Sequence, residues 1–557
     1  MKAEIREYKG ALRLFVNGEI VPPDAYMTYF IENSKYEDFA EAGYKLFSLP
    51  MFFSSKTMNE NSQAPCFGKP LFDTEEPDWE EFDRLFHHVL AACPDAMIFP
   101  RMNLSPNEAW ERANPDELCD EGAVELHRPC FSSDKWADEM ARKFAMAIDH
   151  VEASDYADHV VGYMFAAGNT EEWFSHDNKG SIGKRSREKF AERCIEEGIE
   201  ATEENYFEFL SDIVAHRICT LARLAKTKIG NDKLVGTFYG YTFETPWRES
   251  CHHSLDKVLE CKEIDFLCSP VSYASNRELG RDHSCMLPCD SLRAHGKLYF
   301  SENDTRTHLT GVPFPELPYF QNPVFKPKEY DDTIEMLKLH YCRSMIHGYA
   351  HWWFDMWGGW YNDTIYMGEM REFLEISKRA ANKPMGSVSE IAIFIDEKCY
   401  KYCTNNHSGM SLAYHFRDVL GKIGAPYDVY LASDYELVKE KYKAIILIEP
   451  HKTDLLNAVM ADAEQRGVGC YKVNMENLSA TTTETFRNLC RNNGVHLYTE
   501  SDAVVFANES YVFVHCEGQT LPEINMPDGK KLKSLFTSDS TKPMHPRFIS
   551  DLYEVIS

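Results

Sequence analysis

The sequence predicts a parallel (β/α)8 barrel followed by a small doubly wound α/β domain and a compact antiparallel β module. Three observations carry the prediction. Over the first two thirds of the chain, short apolar runs rich in β-formers alternate with longer segments of helical period, the pattern of parallel β/α units. After Arg379 the stretch AANKPMGSVSE, broken by Lys383, Pro384 and Gly386, reads as a linker and opens a second α/β pattern. From about Ala503 the chain turns to short alternating strands around the turn-like MPDGKK.

In chain order, the expected barrel strands are residues 26–30, 44–51, 96–103, 160–166, 234–242, 264–273, 297–302 and 346–355. Segments of helical spacing, such as 79–92 and 206–225, lie between them. Eight units over about 380 residues fit a barrel with insertions, whose chemistry sits at the C-terminal ends of its strands. The second domain has expected strands at 392–396, 427–432, 444–449 and 469–473, and Leu412, Phe416, Val419, Leu420 and Ile423 supply an apolar helical face to cover them. The final module reads as strands 504–508, 511–517 and 531–537. The expected domains are therefore 1–385, 386–500 and 501–557.

Composition narrows the partners. With 59 Lys and Arg against 88 Asp and Glu, the 557-residue chain carries a net charge of −29, which disfavours phosphate backbones and anionic lipid surfaces. Neither nucleic acid nor membrane is an expected partner. A hydrophobic share of 44% with 13% aromatics belongs to a folded chain rather than a disordered acidic one. The 17 cysteines are odd in number and irregularly spaced, as free thiols in a reducing compartment would be. The charged start MKAEIREYKG lacks the apolar core of a secretory signal, and no apolar run of about 18 residues occurs, so a cytoplasmic location is expected.

Two carboxylate segments stand at strand ends. In VVGYMFAAGNTEEWF the fourth strand ends near Ala166 and runs into Gly168, Asn169, Glu171, Glu172 and Trp173. In GKLYFSENDTRTHL the seventh strand alternates Leu298, Phe300 and Glu302, delivering a carboxylate ahead of Asn303, Asp304 and Arg306. Retaining glycoside hydrolysis needs such a pair, because one carboxyl protonates the leaving oxygen while another attacks the anomeric carbon from about 5 Å away. Acids at strand ends also cap helices or face solvent, as most of the 88 must.

Other strand ends add Arg101, Tyr241, Glu244 and Tyr273. Arg101 is suited either to hold a carboxylate ionised or to close the barrel rim. The segment MIHGYAHWWFDMWGGWYND holds four of the nine tryptophans, Trp352, Trp353, Trp357 and Trp360. Sugar C–H faces stack on indole planes, so it reads either as a sugar platform, with Trp353 and Asp355 toward substrate, or as core.

The strand-end pair GNTEEW and FSENDTRTHL, on a barrel followed by an α/β domain and a β module, resembles the family 42 β-galactosidases and their clan relatives. The three-part family 164 β-mannosidases are similar. The resemblance implies Glu302 as nucleophile and Glu172 as acid/base, with Arg101, Asn169, Glu171, Tyr241, Tyr273, Trp353 and Asp355 in the substrate site. The family places Asn, which contacts the sugar 2-hydroxyl, directly before the acid/base. Here Glu171 stands there and Asn169 lies three back, which leaves Glu171 as a rival acid/base. The second domain is implied to be Rossmann-like, of amidotransferase type, and to serve trimerisation.

The residues agree on the loss of chemistry there: the strand end IILIEPHKTD offers Glu449 and Pro450 where a glutaminase needs a cysteine in a sharp turn. RGVGCYKV has its glycines before a strand, unlike a dinucleotide fingerprint, so no cofactor is expected. His347 and His351, Cys285 and Cys289, and Cys251 with His252 and His253 do not match structural zinc spacing, and no metal is expected. The leading expectation is an exo-acting retaining β-glycosidase, β-galactosides favoured and β-mannosides open, acting on oligosaccharides as a homotrimer. A noncatalytic carbohydrate-binding barrel and a metal-dependent hydrolase are the alternatives.

Overall fold

Residues 3–21, ahead of the first expected strand, form an antiparallel meander of β1 (Ala3–Tyr8), β2 (Ala11–Val16) and β3 (Glu19–Val21). This comes from a computed structural model, which describes residues 1–56, 58–59, 63–119, 128–174, 182–318, 321, 325–404, 409–536 and 547–556. Ala3, Leu14 and Val16 of the meander pack into the same apolar cluster as the barrel interior, and Ala3 N donates to Asp232 O at 2.8 Å. The meander thus covers the N-terminal end of the barrel.

Eight parallel strands close that barrel: β4 (Asp24–Met27), β5 (Leu46–Phe52), β6 (Met97–Asn103), β7 (Gly162–Ala166), β8 (Leu234–Phe238), β9 (Phe266–Pro270), β10 (Leu298–Asn303) and β11 (Ala350–Phe354). All eight expected strands are present, with shifted ends that have local causes. β4 stops at Met27 because the Thr28 hydroxyl takes the Phe30 N–H. β11 starts late because Met345 and Ile346 belong to the helix Tyr330–His347, which ends on Gly348 at φ +71°. β8 gives way to a turn at Gly240, whose φ of +89° no β-branched residue adopts easily.

Strand alternation sorts the side chains. Met27, Phe99, Met164, Phe238, Cys268, Phe300 and Trp352 fill the interior, while Tyr26, Ile98, Tyr163, Tyr299 and Trp353 face the helix layer. Above the filled interior, the inward positions at the strand ends turn polar: Arg101 and Asn103 on β6, Glu302 on β10.

A second, parallel sheet has the order β13-β12-β14-β15, from β12 (Ile391–Ile395), β13 (Asp428–Leu431), β14 (Ala444–Ile448) and β15 (Gly469–Val473). It docks on the barrel where Val429 N and Leu431 N donate to Asp290 and Ser291, at 2.6 and 2.8 Å. The last sheet is antiparallel, ordered β16-β17-β19-β18, from β16 (Val504–Ala507), β17 (Tyr511–Glu517), β18 (Lys531–Ser534) and β19 (Phe548–Ile556). Sequence reading missed β19, which separates β17 from β18; residue 537, the end of the expected third strand, lies outside the described residues.

Candidate active site

The turn after β7 is held in an unusual conformation. Thr170, Glu171 and Trp173 all have positive φ, at +56°, +63° and +64°, and each such residue costs on the order of 1–3 kcal/mol. Gly168, at φ +83°, is required because a Cβ there would lie 2.1 Å from Phe174 O. Fixed contacts offset the strain. Asn169 N donates to Phe174 O at 2.6 Å, Thr170 N to Met58 O at 2.8 Å, and Trp173 Nε1 to Thr237 Oγ1 at 2.9 Å. The turn sends Glu171 inward, fully buried, and leaves Glu172 half-buried toward the mouth.

Arg101 joins this turn to β10. Its Nη1 donates to Glu302 Oε2 at 2.8 Å, and its Nε lies 2.5 Å from Glu171 Oε2, an ion pair without hydrogen-bond alignment. The guanidinium stacks over Phe238 at 4.3 Å from the ring centre and is 2% exposed, so water does not compete for it. Arg101 therefore pairs with two carboxyls and lies within electrostatic reach of a third, Glu172, while Arg128 also acts on Glu171. Burial pushes the Glu302 carboxyl up to about 7, with Arg101 opposing and Glu172 adding to the rise. Burial also raises Glu171, against Arg101 and Asn103, and raises Glu172, against the hydroxyls of Thr170 and Tyr241. Burial thus works against full ionisation of the three carboxyls, and the two guanidiniums oppose it.

Thr170 Oγ1 donates to Glu172 Oε2 at 2.5 Å, a bond that opposes the rise burial gives the Glu172 carboxyl. Tyr241 holds the other oxygen, Oε1, from 2.6 Å.

His252 fastens this arrangement from below. Its Nδ1 accepts from Gly240 N and Tyr241 N at 3.2 and 3.4 Å, so Nε2 carries the hydrogen and donates to Glu172 O at 2.9 Å. Burial drives its pKa well down and keeps it neutral. Sequence reading weighed the histidines as metal ligands or as satisfied side chains near a carboxylate or sugar hydroxyl, and did not assign His252 this role.

The expected residues divide. Arg101, Asn169, Glu171, Glu172, Tyr241 and Glu302 come together. Tyr273, 36% exposed, stands beside them and donates to Asp304 Oδ2 at 2.6 Å. Trp353 does not join them: it faces the helix layer, fully buried, with Nε1 donating to Tyr44 OH at 3.1 Å and its ring against Phe373. Asp355 is also buried away from the mouth, accepting from Tyr26 OH, Gly359 N and Trp360 N at 3.1, 2.9 and 2.8 Å, which fixes the loop after β11. Strand alternation explains both corrections, because Trp352, not Trp353, shares the inward face with Phe354.

The aromatic surface at the mouth is instead built by Tyr29, Phe30, Phe67, Phe314 and Trp357, with Tyr29 and Phe67 stacked at 5.2 Å. Among the described residues no group of three His, Cys, Asp or Glu is placed to hold a metal ion. His347 ends a helix while His351 lies in β11. No described helix is long and apolar enough to cross a membrane.

The chain matches no protein-family model and, by sequence, no curated protein. Its fold does have solved counterparts. A β-galactosidase from the psychrophilic Marinomonas ef1 superposes with a TM-score of 0.63 at 10% identity, over 95% of this chain and 99% of that one. A cold-adapted β-galactosidase from Rahnella sp. R3 gives 0.62 at 12% identity, over 100% and 99%. A family 42 exo-carrageenase from Bacteroides ovatus gives 0.58 at 11% identity, over 99% and 84%. At these identities the likeness is one of fold, and its coverage takes in the two later sheets as well as the barrel. The chain has the barrel-plus-two-sheets fold that those glycoside hydrolases share.

Proposed function

We propose that this protein is a retaining exo-β-glycosidase, with terminal β-galactosides as the favoured substrates. The observation that carries the proposal is the pairing of Glu302, held by Arg101 at the end of β10, with Glu172, held by Tyr241 and Thr170 on the turn after β7, its carboxyl raised by burial. Glu302 attacks the anomeric carbon while Glu172 passes its proton to the leaving oxygen, and the glycosidic C–O bond breaks to leave a glycosyl ester on Glu302. Glu172, now a carboxylate, takes a proton from water as the water oxygen displaces Glu302, restoring the starting state with the β configuration kept. Glu171, fully buried against Arg101, serves as a positioning group rather than the proton donor.

Exo action is supported by the aromatic wall from Tyr29 to Trp357, which closes one side of the mouth. Self-association through the second domain is supported by its exposed Leu437, Leu455 and Met475. Proton NMR of nitrophenyl β-galactoside cleavage tests the mechanism. The β anomer is expected to form first, and the α anomer first would refute retention. A panel of β-galactoside, mannoside, glucoside, fucoside and glucuronide tests the sugar.

A further inference from the structure

Two to four residues beyond Glu302, the loop after β10 carries a cluster, Asp304 and Arg306, that double displacement does not need. Asp304 is fully buried between two guanidiniums: Arg277 Nη2 is hydrogen-bonded to its Oδ1, and Arg306 Nη1 donates to its Oδ2 at 3.1 Å. Arg417 Nη2 lies 3.8 Å from Glu244 Oε2, and Glu244 in turn accepts from Tyr273 N at 2.9 Å. Arg277 and Arg306 thus share the one carboxylate of Asp304, while Arg417 acts on Asp282 as well as Glu244.

Of the two guanidiniums on Asp304, that of Arg306 is the more exposed. Arg277 is 2% exposed and spends its second Nη on Asp304 and its first on Val271 O at 3.4 Å. Arg306 keeps an 11% exposed side chain, and among the described residues Asp304 is its hydrogen-bond partner, so most of its five N–H groups are uncommitted. Two rings frame it: its guanidinium is 5.6 Å from the Trp360 ring centre and 6.0 Å from that of Tyr273. Tyr273 lies within electrostatic reach of Arg277 and Arg306 on one side and of Glu302 and Glu172 on the other, so the cationic cluster adjoins the catalytic carboxyls.

We propose that Arg306 binds an anionic substituent of the substrate, a carboxylate or a sulfate ester on the sugar at the site or on its neighbour. A planar fork beside an exposed ring suits such oxyanions, which accept two N–H groups at once while the sugar face meets Tyr273. A neutral hydroxyl gains one weaker bond from the same fork. The bulk negative charge of the protein does not cancel this, because salt screens charges beyond roughly 8–10 Å and the ligand meets Arg306 at contact. Turnover of such substrates rests on the glycosidase proposal; binding of the anion does not.

Calorimetric titration of galacturonate, galactose 6-sulfate and galactose into the full-length protein separates the two. At about 0.1 M salt the anionic sugars are expected to bind at least about 10-fold tighter than galactose, with the better of the two identifying carboxylate or sulfate. That preference is expected to fall to under about 3-fold in Arg306→Gln, to persist in part in Arg306→Lys, and to shrink as salt rises. Galactose binding as well as the anions, or a preference that survives Arg306→Gln, would overturn the proposal. Anion preference with no cleavage of any nitrophenyl β-glycoside would sink the glycosidase proposal and leave the anion site standing.

Discussion

The barrel and the second sheet are both parallel, and both end their strands on acids, yet they treat those acids in opposite ways. At the end of β14, Glu449 has Lys472 as a one-to-one partner at 2.8 Å. At the end of β12, Asp396 accepts from Lys398 N at 3.0 Å and caps the next helical turn. In the barrel, Glu171 and Glu302 share Arg101, and strained backbone at Thr170, Glu171 and Trp173 holds Glu171 and Glu172 beside it. A fold that only had to be stable would match its buried charges, because an unmatched one costs several kcal/mol. Unbalanced charge kept in place by strained backbone is therefore a better mark of chemistry than acids at strand ends as such.

The sharpest way to break the comparison is to remove the attacking group. Glu302→Gln should lower kcat by on the order of 10⁴-fold or more with the thermal transition retained, and azide should rescue Glu302→Gly; full activity without Glu302 would end the assignment. Glu172→Gln should cost about 10²–10⁴-fold on galactosides with poor leaving groups and far less on dinitrophenyl galactosides, which need no proton. The same leaving-group pattern in Glu171→Gln instead would transfer the acid role. Arg101→Met should move the acid limb of kcat/KM to higher pH. Glu302 attacks only when ionised, so activity falls as pH drops through its pKa of about 7, and losing the cation that opposes burial raises that pKa further. The smallest effect belongs to the second sheet: Glu449→Gln should change kcat/KM by less than about 2-fold and cost stability alone, read by denaturant midpoint.

Much of this was legible beforehand. Eight apolar runs located all eight barrel strands, and alternation of Leu298, Phe300 and Glu302 put the last of these at the rim, because a strand end that must face inward can only be polar once the interior is filled. Trp353 was misplaced by one residue of strand phase, which exchanges the two faces of β11. Asp355 looks like a ligand in sequence and is consumed by two backbone N–H groups that only the folded loop brings to it. The role of His252 was invisible because its three partners, Gly240, Tyr241 and Glu172, come from two different strand ends. The β1–β3 meander escaped because it flanks the repeating β/α pattern rather than joining it.

The most direct test of the account is to treat the protein with a 2-deoxy-2-fluoro β-galactoside bearing a good leaving group and map the adduct by peptide mass spectrometry. The expected result is a single glycosyl ester on Glu302, absent from Glu302→Gln. Label on another carboxylate, or brisk galactoside turnover that the reagent never traps, would contradict it.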